Sequence, residues 1–263
     1  MIIYKSDSEI QAIRAANQVV AQILTELAEK VRPGITTLEL DRYAEKRTRE
    51  LGALPAFKGY RGFPASLCTS LNEEIVHGIP SKRKLKGGDI LSIDFGAIVD
   101  GFYGDAAVTF PVGKVASAAQ KLIMVAEESF YRGIEQAVPG SRIGDISAAV
   151  QAYVESQGFS VIRNFVGHGI GFSLHEEPQV PNFGLPGHGP KIKPGMVLAI
   201  EPMIAAGDWD VEVLADDWTA VTRDRSLSAH HEHTIAVTDN GPQILSVLND
   251  KEGRTALKEP LHA

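Results

Sequence analysis

The sequence has a single cysteine, Cys68, among 263 residues, so it forms no internal disulfide and fits a reducing compartment. No apolar run approaches the roughly 20 residues that a membrane span requires. The N-terminus, Met1-Ile2-Ile3-Tyr4-Lys5-Ser6-Asp7, has no apolar stretch behind a basic start and so no signal peptide. There is no basic excess either: 26 Lys and Arg against 33 Asp and Glu give a net charge of −7, which argues against a general nucleic-acid binder. These absences describe a cytoplasmic protein with neither DNA nor a membrane as partner. One local exception is the basic run Ser81-Lys82-Arg83-Lys84-Leu85-Lys86, a solvated stretch in the plain reading and a transient ribosome contact in the alternative.

What is present suffices for a sizeable core, with 44% of residues hydrophobic. Ser6-Asp7-Ser8-Glu9 and Thr36-Thr37-Leu38-Glu39 are capping boxes. The first opens a helix to about Lys30, before Pro33-Gly34; the second opens one that ends at Gly52. Residues 53 to 70, with Phe57, Tyr60 and Phe63 among glycines, read as a pocket-lining loop. Further helices are expected from about Ser117 to Gln136 and from about Ile143 to Gln157. A strand is expected from Ser160 to Phe165 and a long loop over 172 to 190. Strands follow at 196–206, 211–215, 218–222 and 232–238. The tail from 251 to 263 reads as loose.

Between the helix pairs, Ile93 to Ala107 reads as a hairpin turning at Asp100-Gly101, a dipeptide suited to positive φ angles. A two-residue turn pairs Val99 with Phe102 and puts Asp94 opposite Ala107. Asp105 is then a diagonal neighbour of Asp94, its Cβ about 7 Å away, too far for a shared proton and suited to gripping cations. Ile93, Phe95, Ala97, Ala106 and Val108 form the opposite, core-facing side. An isolated Asp-Gly hairpin more commonly leaves its aspartates in water, so these two need support from elsewhere.

An internal repeat supplies it. Lys84 to Asp94 aligns without gaps to Lys191 to Glu201, with five of eleven positions identical and Asp94 matched to Glu201. Pro33-Gly34 and Gly52 recur as Pro139-Gly140 and Gly158. Two halves, approximately 1–110 and 111–248, would then make one pseudo-symmetric domain within 1–250, bringing Asp94 and Glu201 together near the pseudo-axis. His168, between glycines that would let backbone approach a ligand, and Glu232, opening a strand, complete a set of four carboxylates and one imidazole. Such hard donors suit Mn²⁺, Co²⁺, Fe²⁺ or Zn²⁺, and paired ions generate a hydroxide near neutral pH and polarise a carbonyl.

The set Asp94, Asp105, His168, Glu201 and Glu232, with Gly167-His168-Gly169-Ile170-Gly171, His175-Glu176-Glu177-Pro178 and Glu232-His233-Thr234, resembles the short bacterial methionine aminopeptidases. The resemblance covers about residues 3 to 248. It implies the pita-bread fold, of α/β (α+β) class, with helices packed on a curved antiparallel sheet. It also implies a cytosolic, monomeric dinuclear metallohydrolase that removes initiator methionine from nascent chains with a small second residue. By matching position, Asp94 would chelate one metal, Asp105 and Glu232 would bridge both, and His168 and Glu201 would complete the other's shell, Glu201 also shuttling a proton. His77 and His175 would contact the substrate, and Tyr60, Phe63, Cys68 and Trp218, with Phe57 and Leu174 beside them, would line the methionine slot. Cys68 and Trp218 fit plain core equally well. Asn72 and the Ser228 region match a monovalent-cation position. His188, His230, His231, His233 and His262 read as ordinary histidines, although His230-His231 and Leu174 depart from the family's usual residues. The alternatives are an X-Pro aminopeptidase or dipeptidase of the same fold, and a non-catalytic pita-bread binding module.

Overall fold

Ser6 and Thr36 each accept from the backbone N–H three residues on, while Glu9 and Glu39 reach back to the cap N–H, so both capping boxes close. They start α1 (Asp7–Ala28) and α2 (Thr37–Glu50); such a cap contributes about 1 kcal/mol. α3 (Ser117–Ile134) and α4 (Ile143–Ser156) repeat the pair. The computed structural model describes residues 1–248; the expected tail, with His262, lies outside the described residues. Among the described residues no helix is long and apolar enough to cross a membrane.

The helices back a nine-stranded antiparallel sheet. Its path runs Leu54–Pro55, Ile90–Val99, Phe102–Pro111, Glu232–Thr238, Val197–Ile200, Gly167–Gly169 and Glu176–Val180, with Leu67–Leu71 and Gly241–Ile244 attached beside it. The hairpin has the expected register: Val99 faces Phe102 and Asp94 faces Ala107, around Asp100 and Gly101 at φ 49° and 83°. Its apolar face, Ile93, Phe95, Ala97, Ala106 and Val108, packs with Val20, Leu24, Leu27 and Leu40 of α1 and α2. In the second half Leu198, Ile200, Ile235 and Val237 pack with Phe130, Ile134, Ile143 and Ile146 of α3 and α4. Both apolar faces therefore point to the helices, and the other face is left for polar groups.

The two halves reproduce each other in hydrogen bonds as well as sequence. Thr36 bridges Lys84 as Arg142 bridges Lys191, and Gly34 N donates to Leu85 O as Gly140 N does to Ile192 O. The strands bearing Asp94 and ending at Glu201 are not neighbours, however. Phe102–Pro111 and Glu232–Thr238 lie between them, and the pseudo-axis falls between those two inner strands.

Several elements differ from expectation. Residues 53 to 70 are not all loop: Leu67–Leu71 is a strand, buried on both sides and so without alternation. The expected loop 172–190 contains the strand Glu176–Val180, and the expected strand from Ser160 to Phe165 shrinks to Ser160–Val161. The run 196–206 divides at Glu201-Pro202 into Val197–Ile200 and Met203–Ala205, which belong to different sheets. The short strands Glu74–Val76 and Ser228–His230 carry too few residues to show a period.

Candidate metal centre

One row of residues crosses the sheet beneath the site. Cys68 pairs with Asp94, Asp94 with Ala107, and Ala107 with Glu232. Met203 with His230 and Ile200 with His233 share one register, which sets Glu201 opposite Glu232 where the chain passes between sheets. Ala107, fully buried, adds only a methyl group between Asp94 and Glu232. Asp105 lies two residues from Ala107 on the same face, opposite Gly96. His168 pairs with Ala199, two residues from Glu201. The sheet thus gathers all five expected ligands on the face turned away from the helices.

Asp105, His168 and Glu232 each place a donor atom within 4.8 Å of the others. His168 Nε2 lies 3.5 Å from Glu201 Oε1. His168 Nδ1 is 2.9 Å from Gly169 O; a carbonyl only accepts, so Nδ1 carries the proton and Nε2 is free as a ligand. The flanking glycines also serve the strands. A Cβ at Gly167 would stand 2.3 Å from Ala199 O, and one at Gly169 2.3 Å from Glu177 O.

Burial drives the electrostatics. It pushes the Asp94 carboxyl up to about 7, the neighbouring Asp105 side chain partly opposing it. Burial, and then the charges of neighbouring carboxylates, raise Asp105, Glu201 and Glu232 well above the usual carboxylate range. Burial also holds His168 down to about 4. Asp94 Oδ1, Asp105 Oδ1 and Glu232 Oε1 are inaccessible and, among the described residues, have no hydrogen-bond partner. Buried carboxylate oxygens without donors are costly, and divalent cations would satisfy all three. The donor set therefore fits divalent metal.

Above the row opens a cavity of about 180 Å³. Phe57, Tyr60, Phe63, Cys68, Leu174 and Trp218 line it together with His77, His175 and the five acidic and imidazole donors. Arg61 and Val76 also line it, unforeseen in sequence because neither belongs to a motif. Phe63 meets Trp218 edge to face at 5.1 Å. His77, at a left-handed φ of 61°, stands edge-on to Phe165 and Trp218 at 5.5 and 6.0 Å. Gly78 permits this turn, since a Cβ there would lie 2.3 Å from Thr69 O. His175 stacks obliquely on His168, ring centroids 4.3 Å apart.

The histidines expected to be ordinary divide. His233 is buried against Phe130, its Nδ1 2.9 Å from Ser246 Oγ, and His188 is an exposed loop residue. His230 is different: it is buried, and its Nε2 is 3.9 Å from both Glu201 Oε2 and Glu232 Oε2. Its place two residues before Glu232 was the signal for this, since residues i and i+2 of extended backbone share one face; the two end and begin separate strands, Ser228–His230 and Glu232–Thr238. Asn72 and Ser228 do meet, Ser228 N donating to Asn72 O at 2.8 Å.

Known proteins carry the same architecture. The model of metallopeptidase family M24 matches residues 11–239. A methionine aminopeptidase of Clostridium acetobutylicum is 54% identical over 248 residues, 94% of this chain and 99% of that one. Methionine aminopeptidase 1 of Bacillus subtilis is 53% identical over 246 residues, 94% and 99% of the two chains. The crystal structure of methionine aminopeptidase from Thermotoga maritima superposes with a TM-score of 0.93 at 47% identity, over 94% of this chain and all of that one. With its pita-bread sheet, its buried acidic row and these relatives, the chain belongs to metallopeptidase family M24.

Proposed function

We propose that the chain is a metal-dependent methionyl aminopeptidase that removes N-terminal methionine from nascent polypeptides whose second residue is small. The observation that carries this reading is the continuity of two structures: an apolar slot with aromatic walls opens directly onto a buried carboxylate–imidazole cluster. The relatives' names point to the same substrate.

In this reading Asp94, Asp105, His168, Glu201 and Glu232 hold two divalent ions, for which Co²⁺, Mn²⁺, Fe²⁺ and Zn²⁺ are the candidates. Such a pair, when bound, activates water near neutral pH and polarises the scissile carbonyl. The protein's own side chains do the rest. Phe57, Phe63, Leu174 and Trp218 enclose the methionine side chain and exclude water, and the polarisable thioether suits aromatic edges. Glu201 holds and returns a proton at its carboxylate. His77 and His175 flank the amide and donate hydrogen bonds to the oxygen on which charge develops.

The test is turnover of Met-Ala-Ser, Met-Lys-Ser and Ala-Pro peptides by protein reconstituted with Mn²⁺, Co²⁺ or Fe²⁺. Release of methionine from Met-Ala-Ser alone is expected. Cleavage of Ala-Pro would favour an X-Pro peptidase, and no turnover with any metal would favour a binding module.

A further inference from the structure

Tyr60 belongs to the slot by its ring, but its hydroxyl does something a slot does not need. Tyr60 Oη lies 2.8 Å from His175 Nδ1, with the two rings 5.3 Å apart and tilted by 34°. Among the described residues neither atom has another hydrogen-bond partner in the protein. If Nδ1 carried the proton and donated to the phenol, the phenol's own hydrogen would have no protein acceptor among the described residues and would turn to solvent. If the phenol donates, both atoms are satisfied and the imidazole proton sits on Nε2.

Both partners are held rigidly. Tyr60 opens a single tight turn closed by Tyr60 N to Phe57 O at 2.9 Å, Phe63 N to Tyr60 O at 2.9 Å and Gly59 N to Phe63 O at 2.8 Å. Arg61 is forced to a left-handed φ of 48° within it. On the other side, Glu176 Oε1 accepts from Phe172 N and Ser173 N at 2.7 and 3.1 Å, fixing the loop that presents His175. The hydroxyl–imidazole contact therefore joins two anchored segments.

We propose that Tyr60 is a positioning residue for the reaction: its hydroxyl locks His175 as the Nε2–H tautomer, so that the wall of the methionine slot also sets the donor facing the substrate. The use of that donor rests on the aminopeptidase reading; the tautomer does not. Phe63, on the same loop, has no hydroxyl and contributes wall only.

The test is Tyr60→Phe in the full chain loaded with Zn²⁺, which keeps the ring and removes the hydroxyl. Ring-¹⁵N histidine NMR, with the His175 signals identified by their loss in His175→Asn, reads the tautomer. The expected result is Nε2–H in the wild type and a mixture of tautomers in Tyr60→Phe. With Met-Ala-Ser, kcat should fall about tenfold, the worth of one such hydrogen bond, while KM changes less than about twofold. A wild-type His175 protonated at Nδ1, an unchanged tautomer in Tyr60→Phe, or a raised KM with kcat intact would overturn the proposal. Absence of wild-type turnover would reject the aminopeptidase reading alone, and the NMR result would still decide the tautomer.

Discussion

His230 Nε2 lies 3.9 Å from Glu201 Oε2, and the same nitrogen stands equally far from Glu232 Oε2. The imidazole is buried and, among the described residues, this nitrogen has no hydrogen-bond partner; the two carboxylates are what it faces. If Glu201 and Glu232 hold metal as proposed, an N–H drawn into contact with them would orient their oxygens, and loss of such support costs about 10–100-fold in metal affinity. His230→Ala should therefore weaken Mn²⁺ binding by at least about tenfold in calorimetric titration. His230→Gln, which keeps an N–H donor, should lose much less. The backbone of His230 is held independently, by Thr109 Oγ1 at 2.9 Å and by pairing with Met203, so circular dichroism should report an intact fold in both variants.

Glu232 gives the opposite sign for stability and metal. Its carboxyl is buried beside other carboxylates, and among the described residues Oε1 has no donor. In metal-free protein it is a burden. Glu232→Gln should raise the melting temperature of the metal-free protein while abolishing turnover. Metal analysis after dialysis should find substantially less bound metal than in wild type, and equal content would count against the ligand assignment. Asp94→Ala should behave alike, with folding retained and turnover lost.

The buried acids also fix how stability depends on pH. Asp94 titrates near 7 in the folded chain against 3.8 unfolded, and Asp105, Glu201 and Glu232 shift in the same direction. Between the unfolded and folded values the native state binds more protons, so stability falls as pH rises. Buried His168 and His230, near 4 and 3 when folded against 6.5 unfolded, act oppositely below 6.5. Above that pH the carboxylates act alone. Unfolding free energies from urea titration in EDTA should consequently fall from pH 6.5 to 8.5, by up to about 1.4 kcal/mol per pH unit for each proton difference. Saturating Mn²⁺ should remove or reverse the trend, because metal binding releases those protons.

The fold and site were unevenly legible. Asp100-Gly101 specified the hairpin because few dipeptides tolerate two positive φ angles in succession, and alternation then placed Asp94 and Asp105 on one face. Capping boxes at Ser6 and Thr36 located the first helices for a local reason. Leu67–Leu71 escaped because a strand buried on both faces has no alternation, although it places Cys68 beside Asp94. His230 escaped as a site residue because its role depends on two carboxylates whose convergence is tertiary. The glycines around His168 suggest room for a ligand in sequence; that their absent Cβ atoms also make room for neighbouring strands is visible only in the fold. Local chemistry was readable; close approach between distant segments was not.

The N-terminal segment supports the site from outside it. Lys5 Nζ pairs with Glu176 Oε2, with only 1% and 5% of the two side chains exposed, while Lys5 N donates to Gly195 O at 2.7 Å. The other oxygen of Glu176 holds Phe172 N and Ser173 N, so the ion pair ties the start of the chain to the loop carrying Leu174 and His175. Lys5→Met should destabilise the protein by about 3–5 kcal/mol, because it leaves a buried carboxylate without its cation. Adding Glu176→Gln should recover part of that loss by removing the orphaned charge. Urea midpoints of the two single variants and the double variant give the coupling. Turnover of Met-Ala-Ser should remain low in the double variant even where stability returns, since the neutral pair holds the His175 loop less firmly. Full recovery of both would make Lys5–Glu176 a stability device with no part in positioning His175.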